Sequence, residues 1–364
     1  MKHDSKNHRP LDETGMCHSC FEPFTVAEVL SLGHAMPFFH DDPTRLNERE
    51  TPACPHCQVE LPRTVISSKF RAVRLCLVGP PGSGKSHIMW WLGSKLASGL
   101  STLDGVRVTG RLWDPTGEWL YYFPSADPRS AQTELLPTIS TLNTAWLFEI
   151  TVSKHGLRTA NVLLHVLDVA GEEWHEWPQF VDYADCLVLV TNPQAIFDPE
   201  GHNVPPLEAD SLEMFMSQLE RWYKDFYERT IVLLLSQADD HDPTSEPRKI
   251  HDQHVEPGEN ARGSLTLREV GEDIQAASRT LDRWLRSDDV LSDLYFDLLN
   301  KLVDNEATDC LVVGAVGGLF DKSKSSTEAA DEVVQSGRTW AEPPDDVLMP
   351  VLATFGRLGI LDAE

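Results

Sequence analysis

The apolar runs along the chain predict an α/β fold: a doubly wound, mostly parallel sheet with a small cysteine-rich module ahead of it. Three observations carry this. Val73 to Val78 is a short apolar strand that runs directly into a glycine-rich loop and then a helix. Three further continuous apolar runs, Cys186 to Val190, Ile231 to Leu235 and Cys310 to Val313, suit strands buried on both faces. Two Cys-x-x-Cys pairs stand in front of the first strand, in a stretch with few apolar runs.

Element by element, Ser86 to Leu100 reads as a helix with Ile88, Trp91, Leu92 and Leu96 on one face. Asp104 to Leu142 reads as irregular, with prolines at 115, 124, 128 and 137. A hairpin follows. Trp146, Phe148, Ile150 and Val152 alternate with Leu147, Glu149, Thr151 and Ser153, Lys154-His155-Gly156 turns the chain, and Val162 to Leu167 returns. Ser211 can cap a helix that presents Leu212, Phe215, Leu219, Trp222 and Phe226 to the sheet. A second helical region is expected from about Leu267 to Val303, and loops at 239–264 and 321–338. The tail, Asp346 to Leu361, carries a short apolar helix pattern in Val347, Leu348, Val351, Leu352 and Phe355.

Composition excludes some classes. The 364 residues are 41% hydrophobic and 24% charged, ordinary globular values. No apolar run approaches a membrane span, and Met1 to Pro10 is polar, so neither membrane insertion nor a secretory signal is expected; the expected location is cytoplasmic. The balance of 31 basic to 57 acidic residues gives a formal charge of −26, a surface that repels nucleic acid and anionic membranes.

The loop Gly79-Pro80-Pro81-Gly82-Ser83-Gly84-Lys85-Ser86 meets the pattern G-x-x-x-x-G-K-[ST], with a strand before it and a helix after it. The chemistry requires these residues. Glycines let backbone N–H groups turn inward around phosphates, and the helix N-terminus, which begins near Ser86 and His87, adds positive potential. Lys85 is expected on the β- and γ-phosphates and the Ser86 hydroxyl on Mg²⁺. The strand Leu163 to Leu167 then delivers Asp168 to the carboxyl edge of the sheet beside this loop, where a carboxylate can hold Mg²⁺ through water. Gly171, three residues on, can offer its N–H to the γ-phosphate. The alternative for Asp168 is a strand-end cap of the next turn.

These elements resemble the Ras-like and translation-factor class of P-loop GTPases (the TRAFAC class). Asp168-x-x-Gly171 is similar to its switch II motif and arrives after an antiparallel hairpin, as it does there. Pro137-Thr138-Ile139 resembles switch I, which would place Thr138 in the Mg²⁺ shell, with Thr133 and Thr141 as rivals. Ser236-Gln237-Ala238-Asp239 resembles the guanine-reading Asn/Thr-Lys-x-Asp motif, where Asp239 would accept both N1–H and N2–H₂ of guanine. Gln237 departs from the usual Lys, whose stem covers the base. Gly314-Ala315-Val316 resembles the backbone loop that touches the guanine oxygen. Ser86 and Asp168 stand farther apart in sequence than in a small GTPase, which implies an insertion around switch I. The resemblance implies bound GTP or GDP with Mg²⁺. Glu172, followed by Glu173, Trp174 and His175, occupies the place of the family's water-positioning residue. Glu172 or His175 is the candidate for that role. Arg111, Arg129 and Arg158 are candidates for an internal arginine finger.

Cys17-His18-Ser19-Cys20 and Cys54-Pro55-His56-Cys57 form a CxxC…CxxC set that can close a tetrahedral Zn²⁺ shell. The gap over residues 21–53 is longer than in common ribbons and is expected to hold a hairpin or short helix, with Phe21 and Phe24 as a small core. A redox pair or unligated thiols are the alternatives, and His18, His34, His40 or His56 can substitute for a ligand. With this front end the chain resembles bacterial double-GTPase family proteins carrying an N-terminal zinc ribbon. The expected division is a zinc ribbon-like module at 1–66, a P-loop G domain at 67–322, and a linker with a C-terminal helix packed on that domain at 323–364.

The functional expectation is a Mg²⁺-dependent GTP-binding protein and slow GTPase, a molecular switch in a bacterial signalling or conflict system. Its expected partners are nucleotide and a protein docking on the switch segments or zinc module, without membrane or nucleic acid. The competing readings are a nucleotide-bound scaffold with little hydrolysis, which Glu172 favours, and an ATPase, which Gln237 permits and Asp239 opposes.

Overall fold

A computed structural model describes residues 14–32, 38–39, 50–66, 70–79, 83–101, 105–113, 145–168, 184–191, 229–236, 249, 272, 275–276, 278–283, 311–315 and 345–361. In chain order the strands are β1 (Thr14–Met16), β2 (Pro23–Thr25), β3 (Leu30–Leu32), β4 (Phe38–Phe39), β5 (Thr51–Ala53), β6 (Arg71–Val78), β7 (Leu100–Ser101), β8 (Val106–Trp113), β9 (Trp146–Lys154), β10 (Leu157–Asp168), β11 (Cys186–Thr191), β12 (Thr230–Leu235) and β13 (Leu311–Ala315). Among the described residues these are accompanied by α1 (Lys85–Ser98) and α2 (Met349–Arg357), the second entered through a 3-10 turn at Asp345–Leu348, and by helical residues at 249, 272, 275–276 and 278–283.

The main sheet has eight strands in the order β13-β12-β11-β6-β10-β9-β8-β7. The five from β13 to β10 are parallel, with Val188 of β11 level with Leu77 of β6 and Val166 of β10 level with Leu75. Such strands are near-continuous apolar runs because both faces are covered. Ile231 to Leu235 and Leu187 to Val190 are indeed all buried. From β10 outward the sheet becomes an antiparallel meander of β9, β8 and β7. The mixed sheet, with a glycine loop between its central strand and a helix, is a P-loop α/β fold.

On one face, Val73, Leu75 and Leu77 of β6 and Val162, Leu164 and Val166 of β10 pack against Ile88, Trp91, Leu92 and Leu96 of α1. Val351, Leu352 and Phe355 of α2 join the same cluster, alongside Val188, Val232 and Leu234. Burying a side chain of this size is worth about 1.5–3 kcal/mol.

One sequence expectation is corrected here. Residues from 106 to 113 are not irregular: β8 pairs with β9 from Val106↔Lys154 to Trp113↔Leu147. The prolines that argued against a strand begin at 115, after the ladder ends. Gly110 even admits Leu96 of α1, whose Cβ a side chain there would meet at 2.9 Å. β10 also starts five residues earlier than its apolar core suggests, because the hairpin carries the polar residues Arg158 and Asn161 into the ladder with β9. The expected helix at 211–226 lies outside the described residues, as do the segments 239–264 (apart from 249) and 321–338. Of the helical region expected at 267–303, residues 272, 275–276 and 278–283 are described and helical.

Candidate functional site

β6 is where the strand order reverses: the chain passes from β6 to β10 on one side and then to β11 on the other. In open α/β sheets ligands bind beyond the carboxyl ends of the strands at such a point. Gly79 follows the last residue of β6, at that edge. Its φ is +153°, and a Cβ there would clash with the Val190 carbonyl oxygen and stand 2.9 Å from Ser83 Oγ. Only glycine fits.

Gly84 is the N-cap of α1, with φ +93°. It lies against Ser236, whose Cβ would stand 3.7 Å from an added Cβ. The first residue of the motif that resembles the guanine-reading element therefore stands beside the end of the phosphate loop. Lys85 is buried, and its Nζ donates to the Gly79 carbonyl at 2.7 Å, drawing the two ends of the loop together. Burial holds the Lys85 ammonium below its ordinary value, and the negative charge of Asp168 opposes that shift. Asp168, also buried, ends β10 level with Leu77. Ser83 Oγ is buried and has no hydrogen-bond partner among the described residues. A buried hydroxyl left so is costly unless a ligand supplies the bond. A cation, a carboxylate, an orphaned hydroxyl and a helix N-terminus thus converge beside a backbone that tolerates no side chain. This donor set fits a phosphate with an accompanying divalent cation.

The site residues named from sequence fall into three groups. Gly79, Ser83, Gly84, Lys85, Asp168 and Ser236 are placed near one another at the carboxyl edge of the sheet. Ser86 and His87 lie in the first turn of α1. Gly314 and Ala315 are corrected: they do not follow the last strand but end it, level with Leu234 and Leu235 of β12. Glycine keeps both backbone bonding groups, so the ladder runs on through it. Both still stand at the carboxyl edge, beside the strand that leads into Ser236. Gly82, Thr138, Gly171, Glu172, Gln237 and Asp239 lie outside the described residues. What the sequence did not signal is the constraint from Val190, a backbone atom of an ordinary apolar strand.

The second candidate centre is the cysteine set. The sulfurs of Cys17, Cys20, Cys54 and Cys57 all lie within 4.8 Å of one another, with Cys17 to Cys57 at 3.6 Å and Cys20 to Cys54 at 3.7 Å. A tetrahedral ion with Zn–S bonds of about 2.3 Å sets its sulfurs about 3.8 Å apart. The two halves repeat one geometry. Ser19 N–H and His56 N–H each donate to the sulfur two residues earlier, both at 3.4 Å. Cys17 N–H donates to Glu22 O and Cys54 N–H to Val59 O. Phe21 (φ +58°) and Gln58 (φ +63°), each directly after the second cysteine, take the left-handed conformation. Two such knuckles with converging thiols fit a closed four-thiolate metal site. The crowding shows in the thiols themselves. Cys17, donating to Cys54 and buried, is pushed above its ordinary value. Burial pushes Cys20 up to about 11, and the bond from Cys17 brings Cys54 down to about 5.

The chain between the knuckles is more strand than expected. β1 pairs with β2 around the first knuckle, and β3 pairs with both β4 and β5. Phe24 is buried in a cluster with Cys17, Val26, Val29, Cys54, Leu61, Val65 and Ile66, and this cluster takes in Leu147 of β9 and Leu163 of β10. The module therefore packs on the sheet face opposite α1. His18 meets the Trp113 ring edge-on, centroids 5.5 Å apart at 79°, and its carbonyl accepts the Ala145 N–H at 2.7 Å. No sequence signal pointed to His18 as a contact between module and sheet.

No family model matches the chain, and no curated protein matches it. Among solved structures it is similar to the Arl6 BBS3 small GTPase from Trypanosoma brucei with a bound nucleotide analogue, GppNp, at 13% identity and a TM-score of 0.28 over 68% of this chain and 88% of that one. It is also similar to a bacterial selenocysteine-specific elongation factor, EF-Sec, at 12% identity and a TM-score of 0.26 over 68% of this chain; it spans 26% of the length of that factor.

Proposed function

We propose that the chain is a Mg²⁺-dependent GTP-binding protein that hydrolyses GTP slowly and serves as a molecular switch in a bacterial signalling or conflict system. One observation carries the reading: Lys85 and Asp168, buried and electrostatically coupled, meet at the switch point of the sheet beside a loop start where only glycine fits. Gly79 brings its backbone close to the phosphates, and Ser83 Oγ supplies a hydroxyl to them. Lys85 neutralises the β- and γ-phosphates. Ser86, Asp168 and Thr138 are the residues that would hold Mg²⁺, which neutralises charge developing on the transferred phosphoryl group. Ser236 lies against Gly84, and by the resemblance Gln237 would cover the base and Asp239 would select guanine. Glu172 is the residue positioned by sequence to orient water. The four cysteines would hold Zn²⁺ as a structural ion with a closed shell. The cytoplasm is the compartment in which such a thiolate site and its nucleotide coexist.

The test is phosphate release from GTP and from ATP with Mg²⁺, wild type beside Lys85→Ala. Release from GTP alone, abolished in the variant, is expected, together with a loss of nucleotide affinity of more than about tenfold, since one charge-assisted contact is worth about 1.5–3 kcal/mol. Equal release from both nucleotides would overturn the base assignment. Binding of GTP without release would favour a scaffold, the reading that Glu172 supports by bringing a carboxylate towards the γ-phosphate.

A further inference from the structure

β10 is an inner strand of the main sheet, flanked by β6 and β9, so both of its faces need cover. Its alternation divides them. Val162, Leu164 and Val166 join the cluster of α1, and Leu163 points the other way. Leu147 of β9 pairs with His165, which makes it a diagonal neighbour of Leu163 on that second face. Leu147 and Leu163 are only 2% and 1% exposed. Among the described residues, the other buried side chains of their cluster all belong to the cysteine module, Cys17, Phe24, Cys54, Leu61 and Val65 among them.

The candidate metal ligands are part of this contact. Each knuckle gives one buried cysteine to the shared cluster, Cys17 from the first and Cys54 from the second. The other cysteine of each is more open: Cys20 is half-buried and Cys57 exposed. Polar contacts fasten the first knuckle to the same face. The His18 carbonyl accepts the Ala145 N–H, just before β9, at 2.7 Å, and the His18 ring meets Trp113 of β8 edge-on. A module of this size is marginal alone, and a four-thiolate ion is what holds its two knuckles together.

We propose that the cysteine module is the second layer of the sheet over β9 and β10, so that zinc binding at the four sulfurs and burial of Leu147 and Leu163 form one cooperative unit. Leu147 and Leu163 are then positioning residues for a metal they do not ligate. Zinc holds Cys17 and Cys54 in the arrangement that covers the two leucines, and the leucines favour the arrangement in which those sulfurs converge. The linkage is reciprocal: if zinc stabilises the sheet, the sheet tightens zinc by the same factor. The inference rests on the reading of the four cysteines as a metal site and goes beyond an ion that closes only its own module. It does not depend on which nucleotide the chain binds.

The experiment uses the full chain, loaded with Zn²⁺ or stripped by a chelator, and two variants at neighbouring positions of β10. Leu163→Ala truncates the face under the module, and Leu164→Ala removes the same side chain from the face under α1. Two quantities are read: zinc affinity, by competition with a chromogenic chelator, and backbone hydrogen exchange along β9 and β10. Stripping the wild type is expected to cost these strands their protection together with the module, and complete unfolding of the stripped chain would be the same linkage in stronger form. Leu163→Ala is expected to weaken zinc by at least about fivefold, the low end of ordinary coupling. Leu164→Ala is expected to melt lower yet to bind zinc within about twofold of wild type while folded, as independent sites do. Protection along β9 and β10 that is the same with and without zinc overturns the shared layer. Wild-type zinc affinity in Leu163→Ala overturns the linkage, and so does an equal loss in both variants, which would trace to general loosening of the sheet. Where an alanine variant fails to fold, Leu163→Val and Leu164→Val, smaller truncations, carry the same comparison. A chain that takes up no zinc overturns the metal reading itself and the linkage with it.

Discussion

At the residue scale the phosphate edge is governed by close approach rather than by charge alone. Gly79 stands against the backbone of β11, and the atom it would strike is a carbonyl held in a strand ladder, which cannot swing aside. Gly84 differs: a Cβ there meets Ser236 only at ordinary contact distance, and the cost is the left-handed φ of +93°. The two glycines therefore separate steric from conformational strain. Gly84→Ala is expected to cost about 1–2 kcal/mol. Gly79→Ala must displace β6 from β11, and it is expected to cost more in melting temperature than Gly84→Ala and to lose nucleotide affinity by more than about tenfold, since a loop moved by 1 Å loses its aligned donors. Melting curves and titration with fluorescent GTP check this. A Gly79→Ala protein as stable as Gly84→Ala would show that β11 does not constrain the loop.

At the element scale, α2 is the piece whose contribution is easiest to isolate. Its buried face, Val351, Leu352 and Phe355, joins the cluster of α1 and the central strands, and Thr354 Oγ1 bonds back to the Pro350 carbonyl at 2.6 Å. Phe355 is fully buried. Phe355→Ala is expected to cost about 3–5 kcal/mol and to leave GTP affinity near wild type in the folded fraction, because Thr354 next to it bonds Cys186, at the amino end of β11 and not at its carboxyl edge. A urea titration measures the first and the labelled-GTP titration the second; loss of affinity without loss of stability would contradict the placement. The same element shows what is legible in sequence. The helix pattern of Val347, Leu348, Val351, Leu352 and Phe355 reads directly, because a buried stripe has a period of its own. The parallel strands read for the same reason, and Lys85 and Asp168 read because their chemistry demands fixed flanks of strand and loop. β8 did not read. Its inward residues Val106 and Val108 are interrupted by Gly110, and the neighbouring prolines lent their character to the whole stretch. His18 did not read either, since a residue between two cysteines carries no periodic mark of what it packs against.

At the scale of the whole molecule, the amino ends of β11 and β12 are tied to the middle of β6 by a carboxyl. Asp185 lies just before β11; its Oδ2 accepts the Arg74 N–H of β6 at 2.7 Å, its own N–H donates to Arg74 O, and its carbonyl accepts the Thr230 N–H of β12. Arg229 caps the same place by donating to Ala184 O. Three central strands thus meet at one residue, level with Arg74, three residues along β6 from Leu77, the partner of Asp168. Burial holds the Asp185 carboxyl above its ordinary value of 3.8, against the pull of Arg74, Arg229 and Arg71. The sign follows from proton counting. Just above 3.8 the unfolded chain has released this proton and the folded chain still keeps it. The folded state therefore binds more protons in that window, and the stability contributed by this group falls as pH rises through it. Asp185→Asn keeps an oxygen for the Arg74 N–H and removes the ionisation. Its contribution is then the same on both sides of the window. The difference in melting temperature between variant and wild type is expected to move in the variant's favour as pH is raised from 3.8 through the raised value. A difference that stays flat across that range, or moves the other way, would mean that the three arginines outweigh burial at this carboxyl. In that case Asp185 would hold the three strands together as an ion and not as an acid.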